Sequence, residues 1–163
     1  MIVGRGDIAS ILNDRDDVTF FASGVSNSNE IREEEYEREK KLLFQQDKNR
    51  CLVYFSSIAI DIKEKYENSR YLKHKKQMED LIKLNFKNYV IIRIGNINWG
   101  VNPNTFINYI RNKIKNKEAV QILDEYKFIL EKKELLLLTD NLPSIGQFQI
   151  SVFGQMKKVK DLL

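Results

Sequence analysis

A single cysteine, Cys51, and a single histidine, His74, occur among 163 residues. One thiol forms no internal disulfide, and with one imidazole it falls short of a metal site. No metal is therefore expected, and a reducing cytoplasm is the natural setting. No apolar run approaches the ~20 residues that span a bilayer, so no membrane contact is expected. Met1-Ile-Val leads straight into a glycine turn, which does not read as a signal peptide. Dense basic clusters are scarce as well. The net charge is only +4, and aromatics do not interleave with basic residues, which argues against nucleic acid as a partner. The lysines of 111–117 spread over several helix faces, the pattern of a solubilising surface more than of a phosphate site. Repeats and linkers are lacking too. A single domain over 1–163 is expected, with an apolar fraction of 42% that suits a soluble core.

Apolar runs alternate with charged, amphipathic segments along the chain. Met1 to Leu12 reads as a short strand, a glycine turn and a short helix. Residues 18–28 read as a buried strand ending in small and polar residues. A helix is expected over 30–46, with Tyr36, Leu42, Leu43 and Phe44 inward. The strand 51–55 carries Ser56 and Ser57 at its end, and a helix is expected next, over 69–86. The strand 89–94 runs into Gly95 and Asn96, and a helix is expected over about 105–115. Further on, the pattern suggests an edge strand at 120–123 and helix over most of 127–139. A strand at 147–152 and a closing helix at 155–163 complete the reading. Nearly continuous apolar strands alternating with helices indicate a parallel sheet covered on both faces. Such a sheet binds ligands at the carboxyl ends of its strands. Gly4 and Gly6, Ala22 to Gly24, Ser56 with Ser57, and Gly95 with Asn96 all fall at such ends.

Three side chains in that setting suggest chemistry. Tyr71 and Lys75 are four apart on a helix, hence on one face. A free phenol titrates near ~10, too high for proton transfer at neutral pH, and a neighbouring cation favours the phenolate. Ser57, at a strand end, could hold the oxygen of a carbinol or ketone. The bland alternative is a solvated lysine-rich helix with a half-buried tyrosine. His74 is expected on the surface, Cys51 in the core and not as a nucleophile. Trp99 reads equally as substrate-lining or as packing. Gly4, Gly6 and Ala9 fit G-x-G-x-x-A at a strand-to-helix turn, where glycines let backbone approach a pyrophosphate and helix N–H groups point at it.

Taken in order, these segments resemble the extended short-chain dehydrogenase/reductases, specifically the NAD-dependent nucleotide-sugar epimerase/dehydratase family. Gly4-Arg-Gly-Asp-Ile-Ala9 is similar to the family's glycine turn. Phe20-Phe-Ala-Ser-Gly-Val-Ser26 resembles its fourth strand, and Val53-Tyr-Phe-Ser-Ser57 the strand that bears its serine. Tyr71 and Lys75 match its Tyr and Lys, and Arg93-Ile-Gly-Asn-Ile-Asn-Trp-Gly100 resembles its sixth-strand signature. The resemblance implies an α/β, Rossmann-like, doubly wound parallel sheet, with about 1–105 as nucleotide-binding core and about 106–163 as a small substrate-side portion. It implies NAD or NADP along Gly4, Gly6, Asp7, Ile8, Ala22, Ser23, Gly24 and Lys75. Tyr71 would be the acid/base, Lys75 would hold the nicotinamide ribose, Ser57 would bind the reacting oxygen and Asn96 would meet the nucleotide-sugar substrate.

The chain also departs from that pattern. Too few residues separate the glycine turn from Val18 to hold the family's second and third strands. The adenosine half and its ribose carboxylate therefore have no counterpart, although Arg5 could meet a 2′-phosphate. With those strands missing, the first strand is expected at a sheet edge, where a dimer partner is a candidate cover. Two readings result: an NAD(P)-dependent epimerase, dehydratase or reductase, and a catalytically inactive relative that binds a nucleotide or sugar or serves an assembly.

Overall fold

The computed structural model describes residues 1–120 and 126–162. Five parallel strands form the main sheet: β1 (Ile2–Val3), β2 (Val18–Phe21), β3 (Cys51–Ser57), β4 (Tyr89–Ile94) and β7 (Gln147–Val152), in the order β1-β2-β3-β4-β7. The central strands are buried on both faces, which is why their sequences read as continuous apolar runs instead of alternating ones. Register is even across the middle, with Phe20 beside Val53 and Val53 beside Val90. The first strand is an edge, as expected, and among the described residues it pairs only with β2.

Two layers cover the sheet. On one face lie α1 (Glu33–Phe44) and α3 (Arg70–Asn85), whose Leu43, Met78 and Ile82 pack on Phe21, Leu52, Tyr54 and Ile91. On the other, Ile11 and Leu12 and the helix α5 (Lys132–Asp140), through Leu135, pack on Val53, Phe55, Val90 and Ile92. Helix α3 begins where the sequence directs it. Ser69 accepts a hydrogen bond from the Leu72 N–H at 3.2 Å, an N-cap for an otherwise unpaired donor.

Several expectations need correction. The segment after the glycine turn is one 3₁₀ turn, Ala9–Ile11, because β2 already begins at Val18 and leaves no length for a helix. It aims no row of helical N–H groups at a phosphate. Residues 127–139 divide into a strand, β6 (Tyr126–Leu130), and α5, since the aromatic and branched residues of 126–130 pair in a second sheet. In that sheet β6 lies between β5 (Asn96–Ile97) and β8 (Gln155–Lys158). In place of a closing helix over 155–163, β8 runs into a single 3₁₀ turn, Val159–Leu162. The helix expected near 105–115 is present as α4 (Phe106–Lys115), and a short helix outside the sequence reading, α2 (Lys63–Glu67), precedes α3. Phe44 is exposed, one position past the inward stripe that ends at Leu43. Most of the edge strand expected at 120–123 lies outside the described residues. Among the described residues, no helix is long and apolar enough to cross a membrane.

Candidate active site

At the carboxyl end of β1 the chain turns at Gly4, whose φ of +131° suits only glycine. An added Cβ would lie 2.3 Å from the Ala22 carbonyl oxygen, so the turn lies directly on the end of β2. Gly6 is the opposite case: it is exposed, and a Cβ there would meet nothing within 4 Å. Its backbone is open to close approach by a ligand. Ile8 packs on the apolar cluster around Val53. Arg5 is exposed beside this turn.

Helix α3 presents Tyr71 and Lys75 one turn apart, as their spacing requires, and the Lys75 ammonium lies 5.8 Å from the Tyr71 ring centre. Lys75 is nevertheless buried and committed elsewhere. It donates to the Tyr54 hydroxyl at 3.1 Å and the Phe55 carbonyl at 3.4 Å, and lies 3.6 Å from a Glu39 carboxylate oxygen. Glu39, on α1, is fully buried. Its carboxylate accepts from the Val25 N–H at 2.7 Å and from the Tyr54 hydroxyl at 2.9 Å, and His74 Nε2 lies 2.9 Å away. Burial alone would raise this carboxyl. The Lys75 charge, His74 and the Val25 N–H outweigh that and hold it at about 2. Tyr71 behaves the other way. Burial pushes its hydroxyl above the ordinary phenol value, more than Lys75 pulls it down, and the Glu39 charge adds to the rise. The lowered phenol expected from the Tyr-Lys spacing is thus absent in this arrangement, because burial outweighs the pull of the Lys75 ammonium and the Glu39 charge adds to the rise.

His74 is not on the surface. It is buried, with its ring centre 4.6 Å from that of Tyr36 in a tilted contact, and bonded to Glu39. Glu39 escapes a reading of the sequence, although one signal for it is present. It lies three residues after Tyr36 and four before Leu43, on the inward stripe of α1.

The end of β2 meets the same cluster. A Cβ on Gly24 would lie 2.6 Å from Lys75 Nζ and 2.8 Å from Glu39 Oε1, so glycine is what lets the strand end close on the ion pair. Ser23 accepts from Arg38 through both its hydroxyl, at 3.4 Å, and its carbonyl, at 3.2 Å. At the end of β3, strand alternation separates the two serines. Ser56 faces α3, is buried, and donates to Glu79 at 2.7 Å. Glu79 in turn receives a two-pronged contact from Arg93 at 2.9 and 2.6 Å, and Arg93 also pairs with Asp61. Ser57 is half-buried and accepts from the Ala59 N–H at 3.2 Å, capping a 3₁₀ turn. Asn96 lies in β5, and its amide donates to the Phe128 carbonyl at 3.1 Å. The structure therefore brings Tyr71, Lys75 and Gly24 together, while Ala22 packs on the apolar cluster of the α5 side, Ser23 is held by Arg38 and Asn96 is engaged in the second sheet.

The loop after β5 crosses back over the strand ends. Trp99 Nε1 donates to the Asp7 carbonyl at 3.0 Å, and its ring packs on the apolar cluster of the α5 side. The Asp7 carboxylate accepts from the backbone N–H groups of Val101 and Asn102 at 3.0 and 3.1 Å.

A five-stranded parallel sheet with helices on both faces defines the fold. No protein-family model matches the chain, and no curated protein matches it. Solved structures do. The chain has the fold of the NAD-dependent nucleotide-sugar epimerases. It is similar to a UDP-glucuronic acid 4-epimerase from Bacillus cereus, in complex with UDP-glucuronic acid and NAD, at a TM-score of 0.62 and 14% identity over 89% of this chain and 56% of that one. A UDP-N-acetylglucosamine 4-epimerase from Methanobrevibacter ruminantium M1, in complex with UDP-N-acetylmuramic acid, matches at a TM-score of 0.60 and 17% identity over 90% of this chain and 58% of that one. The capsular polysaccharide assembling protein CapF from Staphylococcus aureus matches at 0.56 and 18% identity, over 90% of this chain and 42% of that one. The chain thus spans about half the length of these epimerase-fold structures.

Proposed function

We propose that this chain is an NAD(P)-binding domain of the epimerase, dehydratase or reductase kind, acting on a nucleotide sugar by carbinol–ketone chemistry. The observation that carries the reading is the meeting of Tyr71 and Lys75 with the end of β2 at Gly24. Similar structures in complex with NAD and with UDP sugars support it. The open backbone at Gly6 and the glycine-only turn at Gly4 suit the pyrophosphate side of a dinucleotide. Gly4, Gly6, Ile8, the 22–24 strand end and Lys75 would hold it, with Asp7 contributing through its backbone alone because its carboxylate is taken by Val101 and Asn102. The nicotinamide would supply the hydride acceptor or donor. The choice between NAD and NADP falls to the side of the edge strand, where Arg5 is exposed.

Tyr71 is the acid/base in this reading. Its raised hydroxyl stays protonated at neutral pH, so it starts as a proton donor to a carbonyl oxygen. Ser57, half-buried at the end of β3, binds that oxygen, and Asn96 lies on the sugar side. Activation of Tyr71 as a base requires Lys75 to loosen from Glu39 and Tyr54. We place the protein in a reducing cytoplasm, as one domain over 1–163, with a second copy covering the β1 edge.

A second reading, a catalytically inactive nucleotide- or sugar-binding relative, is favoured by the Glu39–Lys75 pair, which holds the ammonium that would activate Tyr71. Calorimetric titration with NAD(H) and NADP(H), with Lys75→Ala as control, tests the first. Binding near one per chain, weakened in Lys75→Ala, is expected. No binding at millimolar cofactor would refute it, and titration with UDP would then test the second.

A further inference from the structure

The glycine turn and the loop after β5 belong to opposite parts of the sheet. The turn comes after β1, the first strand in the order, and the loop comes after β5, which follows directly on β4, the fourth, with the ends of β2 and β3 between them. Asp7 joins the two. Its carboxylate takes the Val101 and Asn102 N–H groups, and its carbonyl takes the Trp99 indole N–H. Gly100, at φ +93°, makes the fit. A Cβ there would lie 2.0 Å from the Asp7 carboxyl carbon, so any other residue would push the carboxylate out. The Asn102 amide donates to the Ser26 hydroxyl at 3.0 Å, a third fastening, on the loop after β2. Residues 98–102 thus form a strap across the carboxyl ends of the strands, where parallel sheets take their ligands.

We propose that this strap is an autoinhibitory latch: the Asp7 carboxylate holds the crevice closed, and a phosphate-bearing nucleotide binds only when Asp7 releases Val101 and Asn102. This rests on the nucleotide-binding reading above. Two effects act together. Charge-assisted hydrogen bonds to backbone N–H groups favour the closed form. The same carboxylate sets a negative charge in the turn where a phosphate must approach. A protein whose competent form is a minor population binds more weakly by that fraction, so opening the latch tightens binding.

The test compares wild type with Asp7→Ala and with Gly100→Ala, which disrupts the same contact from the other side. Amide hydrogen exchange over 98–104 reports the strap, and calorimetry with NAD and with UDP reports the crevice. Both variants are expected to exchange faster at Val101 and Asn102, and Asp7→Ala to bind nucleotide about tenfold more tightly. Unchanged exchange would overturn the latch, since its hydrogen bonds would not be protecting those amides. Faster exchange with equal or weaker binding would overturn the gate while leaving the nucleotide reading intact. Absence of binding in all three proteins overturns the nucleotide reading, and the gate with it.

Discussion

On the α5 side of the main sheet, Val53, Phe55, Val90, Ile92 and Leu135 meet carbon against carbon. On the α1 and α3 side the same strands end in buried charge: Glu39 with His74, Lys75 and Tyr54, then Glu79 with Arg93 and Ser56. Both layers exclude water, but by different means. Carbon contacts are many and individually weak, so their loss is graded. A buried ion costs several kcal/mol to desolvate and is tolerable only while every partner is present. The charged layer therefore converts the loss of one group into an unpaired buried charge. It also sits next to Gly24 and Tyr71, where function is proposed, so stability and chemistry are coupled there and separate on the other face.

Glu39→Gln should break this contrast open most widely. It leaves Lys75 and His74 buried without their carboxylate and is expected to cost about 4 kcal/mol by urea unfolding. Combined with Lys75→Met, the loss should fall well below the sum of the two single losses. A cost below about 1 kcal/mol would mean that the layers do not differ in this way.

Acid provides the same test without mutation. The Glu39 carboxyl is held at about 2 in the folded chain, against an ordinary 4.5. A lowered folded value means that the stabilisation is complete above about pH 4.5 and is lost as the pH falls toward 2. The shift corresponds to about 3 kcal/mol. Urea midpoints measured across that window should fall accordingly, and Glu39→Gln should flatten the fall.

The contrast also explains what is legible in the sequence. Buried parallel strands announce themselves, because residues such as those of 51–55 are apolar on both faces, and the edge position of β1 is implied by the few residues before Val18. The positions of Tyr71 and Lys75 on one helix face come from spacing alone. Their partners do not. Glu39 lies on another helix, and its pairing with Lys75 depends on how α1 and α3 sit on the sheet, which no local pattern encodes. His74 resembles a surface residue because its neighbours are lysines, yet it is the Glu39 contact that makes its burial tolerable. The second sheet is hidden for a related reason: Tyr126 to Leu130 runs unbroken into a lysine-rich helix start, and only pairing with β5 and β8 separates the two.

Ser56→Ala should have a smaller effect than Glu39→Gln. It removes the 2.7 Å hydrogen bond to Glu79, but Arg93 still satisfies that carboxylate with two contacts. A loss of about 2 kcal/mol is expected by thermal or urea unfolding, within the range for a hydrogen bond to a charged group.

Ile92→Val sharpens the comparison from the apolar side. Ile92 is fully buried one position before Arg93 on β4, yet alternation turns it to the opposite layer. Removing one methylene there leaves no unpaired group, only a small gap among carbon contacts, and about 1 kcal/mol should be lost. Because the change touches neither Glu39 nor Lys75, the acid-dependent fall in stability should keep its full depth, shifted down uniformly. A fall that became shallower in Ile92→Val would show that the two layers communicate through the sheet, and that the charged layer is not the separate unit its hydrogen bonds define.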